Sequence, residues 1–161
     1  MKKKKLLTPG PLTTTASVKQ EMLFDHCTWD DDYKKITQKI RKQLLELAHV
    51  NDDEYTVVLM QGSGTFGVES VLTSVVGENE KLLIIANGAY GQRMANICQH
   101  AKVNYEVIEF AENENPSAKV IAEKLNEDVA ITHVAMVHSE TTSGILNDIA
   151  SVAKVVKERN R

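Results

Sequence analysis

The 161-residue sequence has few of the features that tie a chain to a membrane, a metal or a nucleic acid. It contains two cysteines, Cys27 and Cys98, far apart and with no metal-ligand spacing around either. They read as reduced, cytoplasmic thiols rather than a disulfide framework, with Cys98 on the apolar face of a helix, and no metal site is expected. No apolar run approaches the ~18 residues that a membrane span requires. The one basic block, Lys2 to Lys5, is followed only by Leu6 and Leu7 before Thr8-Pro9-Gly10-Pro11. That is too short an apolar stretch for a signal peptide, so the lysines read as a solvated tail. A formal net charge of -3 gives no broad attraction to nucleic acid. No internal repeat or low-complexity linker is present. What remains, 42% hydrophobic and 25% charged residues, is ordinary globular composition in a chain long enough to bury a real core.

Three short apolar runs lack alternation: Thr56-Val57-Val58-Leu59-Met60, Leu82-Leu83-Ile84-Ile85-Ala86 and Val134-Ala135-Met136-Val137. Such runs predict strands covered on both faces, as in parallel sheets. Val107-Ile108-Glu109-Phe110 is a weaker candidate, nearer an edge. Between the runs lie one-sided helical stripes: Val68, Val71, Leu72, Val75 and Val76; Met94, Ile97, Cys98 and Ala101; Ala118, Ile121, Ala122 and Leu125; Ile149, Val152, Ala153 and Val156. Alternating strands and helices predict an α/β domain. Before residue 55 the pattern is different. Leu6 to Thr15 reads as an extended loop, Ser17 to Phe24 as one helix, and Tyr33 to Ala48 as a better one with Ile36, Ile40, Leu44, Leu47 and Ala48 on one face. The last helix runs into Lys157-Glu158-Arg159-Asn160-Arg161, where another strand would be expected to follow.

Met60-Gln61-Gly62-Ser63-Gly64-Thr65-Phe66-Gly67 places glycines at G-x-G-x-x-G spacing between an apolar run and a helical stripe. Glycines allow close backbone approach, Thr65 can cap the helix, and the N–H groups and positive end of that helix suit an anion. The competing reading is a tight turn. A P-loop needs Gly-Lys-Ser/Thr, which is missing here. A dinucleotide fold needs the motif after its first strand and an acid closing the second, whereas the second run ends at Asn87-Gly88.

Two further constellations follow the other runs, Asn87-Gly88-Ala89-Tyr90-Gly91-Gln92-Arg93 and His138-Ser139-Glu140-Thr141-Thr142-Ser143-Gly144. Ligands of open α/β sheets bind beyond the carboxyl ends of the strands. A flat phosphorylated ring would suit the set, with its anion on the helix end, its face against Tyr90 and its polar edge toward Thr141. Helix capping by Tyr90 and turn chemistry in the hydroxyl loop are the plainer alternatives. His138 beside Glu140 suggests acid–base work, or a structural histidine at a strand end.

Read in order, four segments resemble one family along essentially the whole chain. They are Leu6-Leu7-Thr8-Pro9-Gly10-Pro11-Leu12-Thr13 with Cys27-Thr28-Trp29-Asp30, then Leu59 to Thr65, Asn87 to Arg93, and Val137 to Asn147. The family is that of the 2-aminoethylphosphonate–pyruvate transaminases among the class V pyridoxal-phosphate (PLP) aminotransferases. The resemblance implies an α/β fold: an incomplete fold type I large domain, mostly parallel sheet flanked by helices, behind a helical N-terminal lead-in. Residues 1–54 would be the N-terminal loop and helices, and 55–161 the first part of the PLP-binding large domain. It implies pyridoxal 5′-phosphate as cofactor and 2-aminoethylphosphonate and pyruvate as substrates, giving phosphonoacetaldehyde and L-alanine in a cytoplasmic homodimer. By the same resemblance Ser63, Gly64 and Thr65 form the phosphate cup, Tyr90 stacks on the pyridine ring, Thr141 contacts the cofactor, and Gly10 borders the substrate pocket. The acids Asp30 to Asp32 read as a solvated helix cap without a catalytic role. The family's Schiff-base lysine and its pyridine-nitrogen aspartate are expected beyond Arg161, so no catalytic residue falls within the chain and the chain alone is expected to be inactive. Alanine– or serine–glyoxylate transamination, a nucleotide-binding module and a non-catalytic interaction fragment remain alternatives.

Overall fold

A computed structural model describes residues 4–161, so Lys2 and Lys3 of the basic block lie outside the described residues. It divides into two compact units, the first ending at Gln61 and the second running from Gly62 to Arg161.

The first unit is helical. Leu6–Thr13 is not simply extended: Leu7 and Leu12 form an antiparallel bridge, and Thr13 Oγ1 accepts the Leu6 N–H at 2.7 Å. Gly10 lies in the turn this closes, at φ 138°. Helix α1 (Ala16–Glu21) is capped by Thr15 and ends before Phe24, short of the expected Ser17 to Phe24. Helix α2 (Asp31–Leu47) starts after Asp30, and its first-turn acids Asp31 and Asp32 pair with Lys34 and Lys35, all exposed. The acids are therefore a solvated helix start. No residue from 4 to 61 is buried, and the α2 stripe Ile36, Ile40, Leu44 and Leu47 remains exposed. Thr56–Met60 corrects an expectation, because the segment pairs with no strand among the described residues. An apolar run becomes a strand only when a ladder partner takes its N–H and C=O groups, and this run has none.

The second unit opens with α3 (Gly64–Val75), then β1 (Lys81–Ala86), α4 (Ala89–Ala101), β2 (Tyr105–Glu109), α5 (Ala118–Glu127) and β3 (Ile131–Met136). A hairpin of β4 (Ser139–Glu140) and β5 (Ile145–Leu146) and then α6 (Ile149–Lys157) complete it. The sheet is parallel in the order β2-β1-β3, with β1 central and β2 at the predicted edge. Because successive strand side chains alternate between faces, β1 supplies two cores. Leu82 and Ile84 pack with Leu72, Met94, Ala95 and Cys98 beneath α3 and α4. Leu83 and Ile85 pack with Ile121, Leu125, Ile131 and Val152 beneath α5 and α6. Full burial of each leucine, isoleucine, valine or methionine among them contributes about 1.5–3 kcal/mol. Burial also raises the Cys98 thiol above its ordinary value, consistent with a structural cysteine on a helix face.

The amino end of β1 is ionic. Lys81 Nζ donates to Asp128 at 2.5 Å and Glu106 at 2.8 Å, and Lys124 also pairs with Glu106. Hydrogen bonds to Asp128 and Glu106 hold the Lys81 ammonium above its usual range. Lys124 and Lys81 hold Glu106 low, and Lys81 holds Asp128 low. The opposite, carboxyl end of β1 is polar in another way, and it positions the site.

Candidate functional site

The GSGTFG segment is first of all a turn into a helix. Gly62 has φ 152°, and a Cβ there would meet the Phe66 ring at 2.6 Å, so this glycine answers to geometry. Ser63 is the N-cap of α3, its Oγ accepting the Phe66 N–H at 3.4 Å. Gly64 and Thr65 occupy the first turn, whose N–H groups lack carbonyl partners within the helix and sit at its positive end. Nothing lies within 4 Å of a Cβ built on Gly64, so the backbone is open beside that residue. The motif precedes β1 instead of following the first strand of the sheet, which departs from dinucleotide-binding topology.

Helix α4 begins at the carboxyl end of β1 and carries Tyr90 and Arg93 one turn apart on the same side. The Arg93 guanidinium lies over the Tyr90 ring, 5.0 Å from its centroid, and donates to Thr65 Oγ1 at 3.1 Å. One arginine thus joins the start of α3 to the aromatic ring of α4. Arg93 also brings a fixed positive charge beside the α3 donors.

The loop after β3 is fastened to the same place by buried polar groups. Asn87 and Asn147, each 2% exposed, bond reciprocally at 2.8 and 3.1 Å. Asn147 also donates to the Val137 carbonyl at 2.7 Å, and Asn87 to the Glu114 carbonyl at 3.0 Å. Glu140 is fully buried and accepts the Tyr90 N–H through Oε2 at 3.1 Å. Its Oε1 accepts the Thr142 hydroxyl at 2.6 Å and the Thr142 N–H at 3.3 Å. Thr141, exposed, lies between the two residues of this clasp. Asp148 then caps α6, and its bonds from Ser151 hold its carboxyl below the usual range.

Ser63, Gly64, Thr65, Tyr90 and Thr141 therefore belong to one unit, with Thr65 tied to Tyr90 through Arg93 and Thr141 tied to it through Glu140. Gly10 sits in the turn of the first unit. Glu140 is engaged with Tyr90 and Thr142 while His138 is exposed, so the pair is not arranged for acid–base work. Sequence reasoning assigned no role to Arg93, Asn87 or Asn147. The helical spacing of Arg93 from Tyr90 was a usable signal; the Asn87–Asn147 pair, 60 residues apart, left none.

The arrangement can seat an anion at the start of α3 and a flat ring against Tyr90. Comparison with known proteins follows the same lines. A 2-aminoethylphosphonate–pyruvate transaminase of Lysinibacillus sphaericus is 57% identical over 98% of this chain and 43% of its own length. One of Bacteroides fragilis is 50% identical over 98% of this chain and 44% of its own. The chain therefore spans less than half the length of these curated relatives. Pyridoxamine-pyruvate aminotransferase of Mesorhizobium loti superposes with a TM-score of 0.84 over 96% of this chain and 39% of that one; at 21% identity, this speaks for the fold alone. The family described as Aminotransferase class-V matches residues 25–161, and with that match the chain belongs to the class-V aminotransferases.

Proposed function

We propose that the chain carries the phosphate seat and ring shelf of a 2-aminoethylphosphonate–pyruvate transaminase that uses pyridoxal 5′-phosphate. The reaction would move the amino group of 2-aminoethylphosphonate to pyruvate, giving phosphonoacetaldehyde and L-alanine. The relatives above bear that name, and the observation that carries the reading is the join of Thr65 to Tyr90 through Arg93 at the carboxyl end of β1. The donor set fits the group in its chemistry: first-turn N–H groups at Gly64 and Thr65, hydroxyls at Ser63 and Thr65, the Arg93 guanidinium for the phosphate, and the Tyr90 ring for the pyridine. When bound, the cofactor supplies the electron sink of the reaction. The chain's own part is to fix the phosphate on α3, lay the ring against Tyr90 and offer the Thr141 hydroxyl to its polar edge. Gly10 keeps the substrate-side role implied by the resemblance. The working protein is read as a cytoplasmic homodimer; no helix among the described residues is long and apolar enough to cross a membrane.

These residues by themselves are not expected to transaminate. Lys81 is held by acids at the amino end of β1, about 16 Å of strand from the site. Lys102 closes the far end of α4, Lys119 and Lys124 lie on α5 across the sheet, and Lys154 and Lys157 lie late in α6. Titration of the 161-residue chain with pyridoxal 5′-phosphate, followed by absorbance, should saturate. Tyr90→Ala and Thr65→Val should each weaken binding, inorganic phosphate should compete, and NAD should not. Absence of saturable binding, or competition by NAD, refutes the cofactor reading. Alanine formation dependent on 2-aminoethylphosphonate, catalysed by the chain alone, refutes the expected inactivity.

A further inference from the structure

Glu140 is a buried carboxylate on a two-residue strand. An apolar side chain would fill that space without the desolvation a carboxylate suffers. Its two oxygens meet three donors: the Tyr90 N–H on Oε2, and the Thr142 N–H and hydroxyl on Oε1. The Tyr90 N–H belongs to the first turn of α4, whose N-cap, Gly88, has no side chain to cap it. The cap comes instead from 50 residues away in sequence. Gly88 is the condition for this, since a Cβ there would stand 2.5 Å from Glu140 Cγ and 2.7 Å from Oε2. One carboxylate thereby joins the backbone of Tyr90 to the segment carrying Thr141.

We propose that Glu140 is a positioning residue: by capping α4 from the β4–β5 hairpin it holds the Tyr90 ring and the Thr141 hydroxyl in one geometry for the flat ring of the cofactor. This rests on the pyridoxal-phosphate reading above. It separates two parts of the site, because Glu140 bonds the backbone of Tyr90 directly while the N–H and hydroxyl donors at the start of α3 have no bond to it.

Glu140→Gln tests it. A glutamine offers one acceptor and one donor in nearly the same shape. Facing its NH2 toward Tyr90 sets donor against donor; facing it toward Thr142 sets it against that N–H. In the 161-residue chain, the E140Q variant should bind pyridoxal 5′-phosphate about tenfold more weakly, the scale of one hydrogen bond to a charged group. Inorganic phosphate, followed by phosphorus NMR, should bind within about twofold of wild type. The Tyr90 amide should lose protection from hydrogen exchange. Ile121→Val, a methyl deletion on the other face of the sheet, should leave both the ring-to-phosphate difference and the Tyr90 amide unchanged. If E140Q does not fold, Gly88→Ala displaces the same carboxylate with its charge intact and should produce the same ring-selective loss. Equal weakening of pyridoxal phosphate and inorganic phosphate overturns the proposal, as does unchanged pyridoxal-phosphate binding once Tyr90 protection is lost. A wild-type chain that binds no pyridoxal phosphate refutes the cofactor reading and this inference with it; wild-type binding matched by E140Q refutes this inference alone.

Discussion

Gly91 makes the sharpest case at the level of one residue. It lies within α4, where alanine is intrinsically the better helix former by about 1 kcal/mol. Yet a Cβ at Gly91 would stand 2.6 Å from Ala86 Cα and 2.7 Å from Ala86 Cβ, with the helix pressed on the end of β1. Backbone cannot yield as a flexible side chain can, so contact outweighs propensity. Gly91→Ala should lower stability by about 1–3 kcal/mol, seen as a reduced urea midpoint. A midpoint at or above that of wild type would show that α4 does not bear on β1 there. Buried polar residues act on a similar scale. Asn87, Glu140 and Asn147 are all interior, and every side-chain oxygen and nitrogen they bury has a partner among the described residues.

At the scale of the element, the three strands of the parallel sheet and helices α3 to α6 were legible in the sequence. Unbroken apolar runs mark the strands and one-sided stripes the helices, whereas the β4–β5 hairpin carries neither mark. Lys81–Ala86 and the stripes of α3 to α6 occur where the apolar pattern predicts. Thr56–Met60 has the same signature as β1 and forms no ladder among the described residues, since a strand is a property of two segments and the pattern reports only one. The site was legible at its helix starts and strand ends, which local rules mark, and illegible where Asn87 meets Asn147 and Glu140 meets Tyr90. Those pairings join segments 50 and 60 residues apart, a distance over which no local periodicity speaks. The ionic end of β1 gives an element-scale prediction. Glu106 and Asp128 titrate below their unfolded values, so their contribution is present at neutral pH and lost as acid protonates them in the folded chain. Lys81 titrates above its unfolded value, so its contribution lasts through neutrality and is lost only as alkali removes the proton. Lys81→Met should therefore be less stable than wild type at pH 7, and the gap should narrow below about pH 4. Urea unfolding of both chains between pH 7 and 3 measures this; a gap constant with pH would mean that the ion pairs contribute nothing.

For the whole molecule, burial is uneven. Among the described residues every buried one lies after Gln61, while the segments before it expose Met22, Leu23, Phe24, Trp29 and Leu47. Local opening follows local burial, so the first unit should be cut long before the second. Limited thermolysin digestion with mass spectrometry should first yield a resistant product beginning near residue 62 and retaining the Arg161 end. Early cleavage between 80 and 140 would contradict the division of the core. Within that core, β1 is apolar toward both faces, so a shift by one residue would exchange Leu82 and Ile84 for Leu83 and Ile85 at little hydrophobic cost. The interior of the strand carries no address. Its address is written at the two ends: at Lys81, whose backbone closes on the Thr132 hydroxyl at 3.1 and 3.2 Å where the ladder shifts register, and at Asn87, locked to Asn147. The strand is spelled by its punctuation, and erasing both marks would leave a fold that still collapses but no longer knows where Tyr90 belongs.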